Sequence, residues 1–130
     1  MGCLEEKLWD ALRQDARQCL ENLLNDPAVQ VPGDQSRPGE SCHAGLVNSV
    51  DSLFGLLVLR RNYYSHRGQE GGRVPLDESL GVVEGCTPGL ARLACRAGAL
   101  EPFEDASQSL AAYCGIQIEG RRIQRLIQRL

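Results

Sequence analysis

From Cys3 to Asn25, the apolar residues Leu4, Leu8, Leu12, Ala16, Cys19, Leu20, Leu23 and Leu24 recur at three- and four-residue steps, with charged residues filling the remaining positions. That period predicts an amphipathic helix with one buried face. Asp26-Pro27 ends it, because a residue before proline is pushed out of helical geometry. Residues 27–45 then lose all period. They hold Pro27, Pro32, Gly33, Ser36, Pro38, Gly39 and Ser41, and predict a flexible linker.

The period changes again at Leu46. Leu46–Val50 and Leu56–Tyr64 are rich in leucine, β-branched and aromatic residues, with Asp51–Gly55 between them, which predicts a β-hairpin. His66–Gly72 carries three glycines and reads as a loop.

Helical spacing returns from Val74. Thr87-Pro88 places a capping threonine before a first-turn proline, and Leu90, Leu93, Ala94 and Ala97 form the inward stripe of a helix ending near Ala97. Glu101-Pro102 opens the next helix in a similar way. Glu104 and Asp105 suit its positive end; Phe103, Ala106, Leu110 and Tyr113 are its expected buried stripe, and Gly115 its stop. After Ile116-Gln117-Ile118, a last helix starts near Gly120, with Ile123, Leu126, Ile127 and Leu130 on one side. The expected fold is therefore α+β and mainly α. A helical arm (1–26) and a linker (27–45) precede a region (46–130) holding the hairpin and a three-helix cluster that ends in a helix-turn-helix.

Composition narrows the function. With 42% hydrophobic residues but 5% aromatics, the 130-residue chain can build a modest core of Leu, Val, Ile and Ala. Net charge is −3, but unevenly spread: residues 1–51 carry −5 and residues 52–130 carry +2. The C-terminal end is thus where an anionic partner would be met. No apolar run is long enough for a membrane span, and Met1–Asp10 lacks the apolar core of a signal peptide, so the expected location is cytoplasmic. The six cysteines form no Cys-x-x-Cys pair and read as buried or free thiols.

The final helix carries the chemistry. In a helix-turn-helix the second helix lies in the major groove, its inner stripe packed on the first. Here the outer face would present Arg121, Arg122, Gln124, Arg125, Gln128 and Arg129 to duplex DNA. Arginine can bond guanine in a fork, and glutamine can do the same with adenine; both also reach phosphate. Arg- and Gln-rich faces are equally a feature of solvated helices, and Glu119 would repel phosphate. A small helical interaction module that pairs with itself or a partner through Leu4–Leu24 is the alternative. Cys42-His43 and His66 do not supply the four ligands zinc requires, and no phosphate loop or catalytic carboxylate set is present, so no metal, cofactor or enzyme activity is expected.

Four motifs in order resemble a known family. Phe54-Gly55, with Arg61 and Tyr63-Tyr64, is followed by Pro75-Leu76-Asp77-Glu78-Ser79-Leu80-Gly81, then Thr87-Pro88-Gly89-Leu90, then Phe103-Glu104-Asp105-Ala106. The series resembles the N-terminal region of bacterial insertion-sequence transposases of the Kra type, over about Ser49–Leu130. The resemblance implies recognition of the ends of a mobile element in DNA recombination. The family's catalytic triad lies on a later domain, so the chain, ending at Leu130, would recognise DNA without cutting it, and could pair with a full-length relative through the N-terminal helix. The family's zinc-binding cysteine knuckle is replaced by Ser65–Gln69, and an upstream Cys-x-x-Cys by Cys42–Gly45, which implies that the zinc site is lost.

Overall fold

The computed structural model of the chain describes residues 3–26, 37–66, 68 and 72–129. It is α+β, as the patterning predicts. Helix α1 (Leu4–Leu24) leads into a three-stranded antiparallel sheet of β1 (Glu40–Ser52), β2 (Gly55–His66) and β3 (Gly72–Arg73), in the order β1-β2-β3. Helices α2 (Pro75–Leu80), α3 (Pro88–Leu100), α4 (Phe103–Ser109) and α5 (Gly120–Arg129) follow, with a π-helical turn, Leu110–Cys114, extending α4. Residues 27–36 of the expected linker, and Leu130 of the expected buried stripe, lie outside the described residues.

The hairpin turns at Leu53-Phe54. The Ser52 hydroxyl pins it, donating to the Gly55 carbonyl at 2.7 Å and accepting from the Phe54 amide at 3.1 Å. The strand extends further back than the apolar pattern suggests: Glu40–His43 pairs with Tyr63–His66. Residues 40–45, expected to lie in the linker, therefore belong to β1. The reason for the difference is a bulge. Ala44 and Gly45 together oppose Asn62, Gly45 takes φ +67°, and its amide donates to Asn62 Oδ1. A bulge breaks the alternation from which a strand is read, while leaving the pairing intact on both sides.

Two apolar clusters hold the molecule together. Val50, Leu57 and Leu59 of the hairpin pack with Leu24 of α1, flanked by Leu20, Leu80 and Val82. Leu90, Ala94, Ala106, Leu110, Ile116, Ile118, Ile123 and Leu126 form the second cluster, where α3, α4 and α5 meet. The turn before α5 is therefore no loose loop: Ile116 and Ile118 are both buried, and the Ser107 hydroxyl donates to the Ile118 carbonyl.

Helix α1 has a second task. Its Glu21 carboxylate accepts from the Val58 amide at 2.6 Å, and the Asn25 side chain accepts from the Arg60 amide and donates to the Val58 carbonyl, both at 2.9 Å. These side chains satisfy the edge of β2 that faces away from β1, contributing about 1 kcal/mol each and blocking strand addition there. Only part of the expected apolar face is used for this packing. Leu20 and Leu24 turn inward, whereas Leu4, Leu8, Leu12, Cys19 and Leu23 are exposed.

Candidate nucleic-acid interface

Helix α5 starts at Gly120, where its backbone passes close to α4. A Cβ on Gly120 would lie 2.6 Å from Glu104 Oε1 and 3.2 Å from the Phe103 backbone. From that close approach to α4 the helix runs with Ile123 and Leu126 fully buried and Ile127 half-buried. The preceding helix stops at Gly115, in the left-handed conformation at φ +67°, as expected of a C-terminal cap glycine. The Arg13 guanidinium donates to the Gly115 carbonyl at 2.5 Å and ties α1 to this turn. One residue of the expected stripe is corrected: Tyr113 is 85% exposed. The π-helical turn adds a residue per turn and rotates Tyr113 away from the side that Ala106 and Leu110 bury.

The outer face of α5 divides in two. Arg121, Gln124 and Gln128 are exposed, and no described hydrogen bond or ion pair ties their side chains down. The remaining three arginines face acids. Arg122 does not point freely outward as expected: its side chain is 22% exposed, Nη1 donates to Asp51 Oδ2 at 2.5 Å, and Nε donates to the Glu84 carbonyl at 2.9 Å. It sits four residues before Leu126, at the edge of the buried stripe, so it clamps the helix to the hairpin. Arg125 Nε meets Glu84 Oε2 at 3.2 Å, and Arg129 Nε meets Glu84 Oε1 at 3.0 Å. Their side chains stay 53% and 66% exposed.

Glu84 is the residue sequence reasoning missed. It lies at the tip of a tight turn in which Val83 and Cys86 exchange both backbone hydrogen bonds, with Glu84 at φ +51° and Gly85 at φ +70°. Two successive positive φ values are the type I′ pattern, where Asn or Gly is usual at the first position. Among the described residues Glu84 is the one non-glycine with positive φ, a conformation costing about 1–2 kcal/mol. Gly85 alone hints at a turn in the sequence, since Glu is not a usual residue at the first position. Nothing local to Glu84 announces two arginine partners more than forty residues on.

At the start of α5 an open concavity of about 1050 Å³ mixes Arg121, Arg122 and Arg125 with Glu84, Glu104 and Glu119. Balanced charge makes it a poor cradle for a small anion; the exposed Arg-Gln ridge is the better-defined feature. A second, apolar groove of about 420 Å³ runs between α1 and the hairpin turn, lined by Trp9, Leu12, Leu53, Phe54 and Tyr113.

Cys42, His43 and His66 take up positions along the hairpin strands. His43 Nε2 lies 3.2 Å from the Ser65 hydroxyl, its ring tilted against Tyr63, and Cys42 stands opposite Tyr64 in the sheet. Among the described residues no three His, Cys, Asp or Glu side chains gather as a ligand set, so a zinc ribbon does not fit them. Burial pushes the Cys86 and Cys95 thiols above their usual pKa, which leaves neither poised as a nucleophile. Asp77 is ion-paired with Arg61. No described helix is long and apolar enough to cross a membrane. Neither models of known protein families nor curated protein sequences give a match to the chain.

Proposed function

We propose that this chain binds duplex DNA, with α5 laid into the major groove as the second helix of a helix-turn-helix. One observation carries the reading: α5 buries Ile123 and Leu126 completely while Arg121, Gln124, Arg125, Gln128 and Arg129 stay exposed along its whole length. These are the residue types that read guanine and adenine edges and grip phosphates. The ordered motifs resembling Kra-type transposases add support, and point to the ends of a mobile element as the target. No catalytic step is assigned to the chain.

The test is fluorescence anisotropy with a labelled duplex over a series of salt concentrations. Affinity should fall with salt, and replacing Arg121, Arg125 and Arg129 together with Ala should flatten the slope by up to about 0.9 for each phosphate no longer neutralised. Absence of binding at about 50 mM salt overturns the proposal.

A second reading has its own observation. Helix α1 leaves Leu4 and Leu8 exposed and lends Leu12 to the apolar Trp9–Tyr113 groove, and exposed apolar surface of this kind suits a protein partner. Concentration-dependent sedimentation in a chain that ignores DNA would favour that reading.

A further inference from the structure

We infer that Glu84 is a built-in phosphate mimic: in the free chain its carboxylate holds Arg125 and Arg129, the two side chains that would otherwise grip a DNA backbone phosphate. The inference rests on the DNA-binding reading and names the site at which one flank of α5 meets the backbone. Each Glu84 carboxylate oxygen takes one guanidinium Nε, bridging two arginines four residues apart on the same face. A phosphodiester, whose two non-bridging oxygens share one negative charge as those of a carboxylate do, accepts the same pair. Glu84 itself is largely shielded, at 18% side-chain exposure, whereas both arginines remain more than half exposed and open to a second anion. The turn that presents it is fixed at both ends, by the Val83–Cys86 bonds and by the Asp51 amide on the Gly85 carbonyl at 2.9 Å. Its carbonyl also accepts from Arg122. The acid is therefore a rigid fixture, and exchange proceeds by movement of the two arginine side chains.

The consequence is a penalty on DNA affinity that is specific to one acid. Glu84→Gln keeps the shape and removes the charge; Glu84→Gly removes the carboxylate and also relieves the positive φ. Both should fold, as judged by circular dichroism, and both should bind the duplex roughly three- to tenfold more tightly than the parent at about 50 mM salt. Glu119→Gln, which removes an equal charge beside the same helix, should gain less. The Glu84→Gln gain should vanish when Arg125 and Arg129 are already Ala, the signature of coupled residues. If the parent binds DNA but Glu84→Gln and Glu119→Gln gain equally, or the gain survives loss of both arginines, the inference fails while the DNA reading stands. If no variant binds, both fail.

Discussion

Arg61 shows how far a single position can depart from what its neighbours suggest. Leu57, Leu59 and Arg61 alternate inward along β2, and all three are buried. A cation in that place is tolerable because Asp77, in the first turn of α2, meets its guanidinium. Glu40 plays a similar part at the other end of the hairpin. Its side-chain bonds to Arg73, and then the Arg37 amide at 2.7 Å, hold its pKa down at about 2. Arg73 in turn lies 4.7 Å over the buried Tyr64 ring. A carboxyl whose pKa is lower folded than unfolded stabilises the fold above its unfolded value, near 4.3, and loses that contribution as pH falls towards the folded value. The stability difference between the parent and Glu40→Gln, from urea unfolding, should therefore be constant above about pH 5 and shrink steadily as pH falls towards 2. A difference that grows on acidification would contradict the pairing.

Among the helices, the boundaries set by local chemistry were legible. Thr87-Pro88 does open α3, although the Thr87 side chain makes no capping hydrogen bond, Gly115 does end the turn after α4, and Ile123 and Leu126 are the buried pair. What was not legible depends on partners remote in sequence or on breaks in period. Arg122 reads as an outward residue until Asp51, 71 positions away, is found beside it. Tyr113 reads as buried until a π-helical turn shifts it, and Glu40–His43 reads as linker until a bulge at Gly45 restores the pairing. Gly98, within α3, is another position where propensity misleads. Alanine would favour the helix by about 1 kcal/mol. Yet a Cβ there would sit 2.6 Å from Ile123 Cγ2 and 2.8 Å from Ile127 Cδ1, and Ile123 is fully buried and cannot yield. Gly98→Ala should therefore destabilise the protein by about 1–2 kcal/mol, since overpacking outweighs propensity. A rise in the denaturant midpoint would show that α3 and α5 are not in such close register.

The two apolar clusters act as one body because Asp51 joins them. Its amide and carbonyl bond the Gly85–Thr87 segment that leads into α3, and its carboxylate holds Arg122 of α5. Helix α1 is attached differently. Its C-terminal half is stitched to β2, while at its N-terminal half Leu4, Leu8 and Leu12 face solvent. Its leucines should consequently divide into two classes under substitution, although the sequence alone places them in one stripe. Leu24→Ala should cost about 2–3 kcal/mol, as expected for a truncated core leucine, because Leu24 fills the space between Val50, Leu57 and Leu59. Leu8→Ala and Leu12→Ala should each stay within about 0.5 kcal/mol of the parent, the usual range for exposed positions. Measured at low protein concentration, that asymmetry reports the fold alone. If Leu8→Ala and Leu12→Ala become costly as concentration rises, the outer stripe is being buried between chains, because association stabilises by mass action whatever it covers. If they are as costly as Leu24→Ala even at high dilution, α1 packs on its own body along both faces, and the division drawn between them is wrong.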